Sequence, residues 1–278
     1  MAIDTDAELQ PRKSGLTPRQ RRRLSRGAQY VVFVAAVVAL AAGADWGRLK
    51  NQFAQAHIAR QLFPDLITVA LKNTVLFTLS GFVVGLALGM VIALMRLSSV
   101  GPYRWLAGIY IEIFRGLPAL LIFIFVGTGV PLAFPSIEYP GGIYGKVAVA
   151  LGLVSAAYMA ETIRAGIQAV PKGQMEAARS LGFSPARAMV SIILPQAFRI
   201  ILPPLTNELV LLFKDSSLVL FLGVTLEQRE LSKFGNDLAS TTANSTPILV
   251  AGLCYLLITV PLSLVVRRME SKAKREIR

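Results

Sequence analysis

The sequence predicts an all-α polytopic membrane bundle, and three observations carry that reading. Of 278 residues, 54% are hydrophobic and 16% charged, with a mean hydropathy of +0.58; a soluble domain has about 45–50% apolar and about 25% charged residues. Six apolar stretches approach or exceed the roughly 20 residues needed to cross a bilayer. Lys and Arg, whose excess gives a net charge of +13, alternate in density along the chain. With the N-terminus inside, the connections 1–27, 96–104, 171–199 and 267–278 hold 19 of them, against 6 in the outer connections 45–65, 133–146 and 226–246. That is the bias that orients membrane proteins. It accounts for the basic charge without nucleic acid.

Residues 1–27 form a basic inner segment. An extra N-terminal span is expected at 28–45, within a region 28–64 that ends in an outer loop. The same region also fits a signal peptide: RRRLSR, an apolar run and AAGAD place basic, apolar and small residues in the order of a cleavage site. Cleavage would leave five spans, retention six. The second span is expected at 74–95, where Gly81, Gly85 and Gly89 recur every four residues, a spacing that lets helices approach closely in lipid. The third is expected at 105–133, the fourth at 147–169, the fifth at 200–224 and the sixth at 247–266, before a basic tail, 271–278.

One cysteine, Cys254, and one histidine, His57, exclude a disulfide framework and a zinc site built from Cys and His. PGGIYGK (140–146) imitates a phosphate-binding loop, but proline stands where the first glycine is required and Val147 where Ser or Thr would follow the lysine. No metalloprotease, nucleophile-elbow or paired-carboxylate motif appears, so an enzyme is not expected. Ionisable residues inside spans are Lys72, Glu112, Arg115, Glu161, Arg164, Glu208, Lys214 and Asp215, four of each sign. Such groups are costly in lipid and serve either as structural pairs or as a solute pathway. Glu112 with Arg115, and Glu161 with Arg164, have the three-residue spacing of helix neighbours. In LLFKDSSLVLFLG (211–223) a charged pair and two serines interrupt an apolar run, and broken backbone at membrane depth belongs beside protein or a cavity. An amino acid needs a cation for its carboxylate and an acceptor for its ammonium. Glu161, Lys214, Asp215 and Ser216 are therefore the candidate solute-path residues, with a helix-end or gate role as the alternative for 214–216.

The inner connection reads EAARSLGFSPARAMVSIILP (176–195). Pro171 precedes a helical stretch in which Met175, Ala178 and Leu181 share a face. Gly182 stands where a left-handed C-terminal residue is wanted, and Ser184-Pro185 suit an N-cap and first turn. A second helix would place Ala186, Met189, Val190, Ile193 and Leu194 on its apolar side. Two helices with a tight turn are expected. A plain loop would need only a few residues, so this investment suggests a docking surface.

Glu176, Ala177, Ala178, Gly182, Ile192, Leu194 and Pro195 fit E-A-A-x3-G-x9-I-x-L-P. This resembles the EAA loop of ATP-binding cassette (ABC) importer permeases. EIFRGLPALL (112–121), AAYMAETIRAGIQAVPKGQMEAA (156–178), LPQAFRIILPPL (194–205) and LLFKDSSL (211–218) resemble the polar-amino-acid branch. The resemblance covers about 65–270 and implies a five-span permease core, with the extra N-terminal span as the departure. It further implies a second permease copy or a homologous one, a cytoplasmic ATPase subunit dimer that carries the ATP and magnesium, and an extracytoplasmic solute-binding protein. No cofactor is expected in this chain. The setting implied is the bacterial inner membrane, with both termini cytoplasmic if the first span is retained. Carried over, Glu176, Ala177, Ala178 and Gly182 would be the ATPase-coupling contacts, and the cargo a polar amino acid, glutamate- or glutamine-like among the options. The competing readings are a stand-alone secondary transporter or channel, which would need coupling-ion sites and usually internal repeats, and a non-transporting scaffold.

Overall fold

The computed structural model describes residues 18–276; the expected basic segment 1–27 lies mostly outside the described residues, as do the last two residues of the tail. The chain forms two compact units, Met1–Lys50 and Asn51–Arg278. In the first, helix α1 (Pro18–Gly43) contains a span-length apolar stretch with no side chain buried. Helix α2 (Trp46–Phe53) follows after two residues.

The second unit holds a short helix α3 (Ala56–Gln61) and the spans α4 (Leu66–Leu97), α7 (Ile143–Ala169), α9 (Pro185–Leu222) and α11 (Thr246–Glu276). Between α4 and α7 lie α5 (Gly101–Gly116) and α6 (Ala119–Ala133), which meet at 107°. The continuous third span expected at 105–133 is thus broken. Pro118 lacks an N–H and disfavours helical geometry in the residue before it, and Leu117 is accordingly extended, at φ −87°, ψ 141°. A short helix α8 (Lys172–Ser180) joins α7 to α9. Among the described residues there is no strand.

Three expected boundaries move for physical reasons. α4 opens with a π-type turn, Leu66–Leu71, earlier than its apolar run. The expected fifth span and the second helix of the inner pair are one element, α9, because Pro195 enters behind a π-type turn at Met189–Ile193, which relieves the crowding of its ring against the preceding turn. Pro203 and Pro204 stay inside the helix, where each lacks the N–H that the carbonyls of Arg199 and Ile200 would otherwise take. The outer connection expected at 226–246 contains helix α10 (Leu231–Thr242).

The core forms where α4 lies against α7. A Cβ added at Gly81 would sit 2.5 Å from Leu151 Cβ, one at Gly89 2.9 Å from Met159 Cβ, and one at Gly85 would overlap the Ser155 hydroxyl. The matched four-residue steps, 81–85–89 against 151–155–159, show that α4 and α7 run in the same direction. Their C-terminal ends, and with them the connections at 98–100 and 170–184, therefore lie on one side of the bundle.

Buried polar bonds close the opposite end. Asn73 is buried; its Nδ2 donates to the carbonyls of Glu227 (2.8 Å) and Arg229 (3.1 Å), and its Oδ1 accepts from Tyr144 (2.8 Å). Glu230 is 0% exposed. Its carboxylate accepts from the N–H groups of Ser232 and Lys233, both at 2.6 Å, and from the Tyr255 hydroxyl at 2.7 Å. It caps α10 and ties it to α11. Burial pushes this carboxyl up from 4.5 to about 7, with the nearby Asp237 adding to the rise against those hydrogen bonds. A raised folded-state value contributes stability that is present below about 4.5 and lost as pH rises through about 7. The thermal midpoint in detergent is expected to fall by a few degrees between pH 5 and pH 8, and Glu230→Gln to flatten that slope. An unchanged slope in the variant would show that other groups set it.

Candidate functional site: the inner helix pair and the charges within the spans

α7 ends at Ala169 because Val170 precedes Pro171 and is extended. The chain re-enters a helix at once as α8, whose Gln174 N–H bonds the Pro171 carbonyl (2.9 Å). The far end of α8 is closed by two backbone bonds: Gly182 N–H to the Arg179 carbonyl (3.0 Å), and Phe183 N–H to the Ala178 carbonyl (3.1 Å). This is a Schellman cap, and it requires the left-handed residue the sequence offers: Gly182 has φ +83°. Ser184 then caps α9, its hydroxyl accepting from the Arg187 N–H (3.3 Å). The Arg187 guanidinium lies 4.9 Å above the Phe183 ring, and Gln196 donates to the Gln174 side chain (3.3 Å). α8 is therefore held at both ends and braced sideways against α9.

Its two faces differ. Ala178 is 2% exposed, and Ala188 is buried behind it. The Ala178 methyl packs α8 onto the bundle, unlike the other three expected coupling residues, which face outward. Glu176, Ala177 and Gly182 are exposed, with nothing within 4 Å of where a Gly182 Cβ would stand. Leu181 departs from its expected place beside Met175 and Ala178. The helix stops at Ser180, Leu181 leaves the periodicity as its cap, and its side chain is 78% exposed. Periodicity concealed this exposed apolar residue; the glycine that ends the helix was the signal for it. Over the first turns of α9, residues 185–197, Ala188, Ile193 and Ala197 are buried while Ala186, Val190 and Leu194 are exposed, because the π-type turn shifts the face.

The charges inside the spans fall into two groups. Glu161 is gripped twice by Arg164, Nη2 to Oε2 at 2.7 Å and Nε to Oε1 at 3.2 Å, and Arg164 also donates to Gln168 (2.7 Å). Arg115, at the end of α5, lies over the Tyr158 ring (5.5 Å), one turn from Glu161, and forms no ion pair with Glu112 among the described residues. Glu208 of α9 is a further ionisable group within the spans, half-buried, although it is not among the expected path residues. Lys214 and Asp215 form the second group. α9 runs opposite to α7, and Gly166 faces Ile201; at 1.5 Å per residue the second group lies about 12 Å further toward the outer end than Glu161. Lys214 is exposed and Asp215 half-buried. Ser216 is 0% exposed, its hydroxyl spent on the Phe213 carbonyl (2.7 Å). Ser216 stands at the end of the α-helical part of α9, where the backbone tightens to 3-10 geometry over Ser216–Leu222 and stops at left-handed Gly223. Beyond that stop an open cavity of about 750 Å³ lies between Glu138–Ile143 and Leu222–Gln228, with Lys146 on its wall.

Residues 85–275 match the family described as binding-protein-dependent transport system inner membrane component, and the chain belongs to that family. It is 38% identical over 194 residues to the arginine transport system permease protein of Bacillus subtilis, covering 69% of this chain and 85% of that protein. It is 40% identical over 202 residues to a probable glutamine ABC transporter permease protein of the same organism, covering 71% and 90%. A crystal structure of an amino acid ABC transporter with histidines superposes with a TM-score of 0.69 at 33% identity, over 79% of this chain and 99% of that one. The chain is thus a multi-pass permease subunit of an ABC importer, with ATP hydrolysis on a separate subunit.

Proposed function

We propose that this permease passes polar amino acids from an extracytoplasmic binding protein into the cytoplasm, driven by a cytoplasmic ATPase dimer and assembled with a second permease copy or a homologue. The single observation that carries the coupling part is α8: a capped helix with Glu176, Ala177, Leu181 and Gly182 exposed and Ala178 holding it from beneath. Such an element passes a rigid-body displacement to α7 and α9, whereas a slack loop would absorb it. The charge bias supports a cytoplasmic position for α8 and for both termini. Residues 65–270 would be the permease domain, 28–64 an added span with its outer loop, and 1–27 and 271–278 basic cytoplasmic ends.

The cargo class rests on the names of the relatives, arginine and glutamine, and on the charges within the spans. Glu161, Lys214 and Asp215, joined by Glu208, supply acceptors for an ammonium and a cation for a carboxylate at successive depths below the outer cavity. The test is uptake of labelled arginine, glutamine, glutamate and leucine by proteoliposomes holding this chain, its ATPase and its binding protein. Uptake of polar members with leucine excluded is expected. Equal uptake of leucine would overturn the cargo class.

A further inference from the structure

The family match and the relatives leave α2 without a role. In α2, Trp46, Leu49 and Phe53 fall within about 60° of one another at 100° per residue. Arg48, Asn51 and Gln52 lie across the helix, and Lys50 on its flank. None of its residues is buried, and all three apolar side chains are exposed. Its C-terminal end carries the depth. Trp46 begins three residues after Gly43, the end of a span-length helix, and the Trp46 indole N–H donates back to the Ala41 carbonyl (2.7 Å). The last carbonyls of α2 are taken by the turn that opens α11: Asn51 accepts from the Asn244 side chain (2.8 Å) and Gln52 from the Ser245 N–H (2.9 Å). Gln55 N–H reaches Thr246, the first residue of that span (3.0 Å). A helix end whose last carbonyls are held by the opening turn of a span lies at the level of the headgroups. There, a tryptophan with aliphatic and aromatic neighbours and flanking basic residues is the composition of a helix lying in the membrane plane.

We propose that α2 is an interfacial anchor: Trp46, Leu49 and Phe53 insert into the headgroup–acyl boundary of the outer leaflet, while Arg48 and Lys50 meet headgroup phosphates. Arg48 is also held by Asp45 (3.0 Å), which fixes the charged side of the helix away from the apolar one. Through its bonds to residues 244–246, the anchor fixes the outer end of α11 at a set height in the bilayer.

The chain has two tryptophans, so Trp105→Phe leaves Trp46 as the sole reporter. The full chain is placed in nanodiscs of phosphatidylcholine and phosphatidylglycerol whose acyl chains are brominated near the headgroup or near the methyl end. Shallow bromine is expected to cut Trp46 emission about two-fold or more, deep bromine less, and aqueous iodide little. Leu49→Asp with Phe53→Asp should abolish the shallow quenching and admit iodide. Quenching by iodide without bromolipid quenching would overturn the proposal by placing the face in water. Quenching by neither would overturn it by placing the face against protein. Should Trp105→Phe fail to fold, spin labels on Trp46→Cys, Gly47→Cys, Leu49→Cys, Asn51→Cys and Phe53→Cys, each with Cys254→Ser, provide the same reading. Oxygen access should peak at 46, 49 and 53 and nickel-chelate access at 51; uniform nickel access would overturn the anchor.

Discussion

Gly182→Pro should leave the chain inserted in the membrane at its normal level and reduce ATP-driven uptake at least ten-fold, with loss of ATPase co-purification. The reason is local and double. Proline cannot adopt φ +83°, and it removes the N–H that closes α8 on the Arg179 carbonyl. Without that closure α8 frays, Leu181 loses its fixed position, and the end of the helix no longer moves as one piece with α9. A graded series separates backbone geometry from side-chain bulk. Gly182→Ala carries a left-handed penalty of about 1–2 kcal/mol; Gly182→Val carries more, because β-branched residues tolerate that region least. Since about 1.4 kcal/mol corresponds to a factor of ten, uptake should fall in the order Ala, Val, Pro. Parental co-purification and uptake in Gly182→Pro would remove Gly182 from the coupling account.

The second large effect lies in the seam between α4 and α7. Gly85→Ala should destabilise the chain by about 1–3 kcal/mol, the range for overfilling a packed core, because its Cβ would overlap the Ser155 hydroxyl. Gly85→Val should prevent assembly. The clash has one partner, so it can be relieved: with Ser155→Gly the nearest remaining atom is the Gly152 carbonyl oxygen at 3.5 Å, and Gly85→Ala should then be nearly neutral relative to Ser155→Gly alone. Thermal midpoints in detergent for the four members of this cycle give the coupling directly. A parent-like midpoint for Gly85→Ala would mean that the helices are not in the close contact described.

These two glycines also show what the sequence makes legible. Gly182 announced itself through its neighbours, since a glycine followed by Ser-Pro after a polar helical stretch has few other uses. The Gly81, Gly85 and Gly89 spacing declared a packing seam but not its partner, which depends on α7 running parallel to α4. The break at Leu117–Pro118 was written in GLP, yet a hydropathy window averages across a bend, and the third span read as straight. α9 read as two elements because prolines at 195, 203 and 204 normally end helices; here a π-type turn precedes Pro195, and Pro203 and Pro204 are carried inside the helix. Ser216 illustrates the opposite limit. A serine at membrane depth has the same letter whether it faces a solute or a carbonyl, and here it is the Phe213 carbonyl. Ala178 shows a similar limit: the motif gives positions, but the face each presents depends on how α8 leans on α9.

The charge pattern within the spans reflects the same division between local and tertiary information. The Glu161–Arg164 pair was legible because both residues share one helix face. The approach of Arg115 to the Tyr158 ring, one turn from Glu161, draws on two helices and the bend after Arg115, neither of which sequence spacing reports. The outer end is likewise built from residues far apart in sequence: Asn73 meets partners 71 to 156 positions away, and Glu230 meets Tyr255, 25 positions on.

The central claim is that motion delivered to α8 from an ATPase drives solute through this bundle. The most direct measurement is uptake of the preferred amino acid by proteoliposomes of the assembled complex, with ATP inside and ionophores present. Uptake should survive collapse of every ion gradient, stop when ATP is removed, and stop in Gly182→Pro with ATP present. Uptake that persists without ATP and disappears with the ion gradients would identify a secondary transporter and contradict the account.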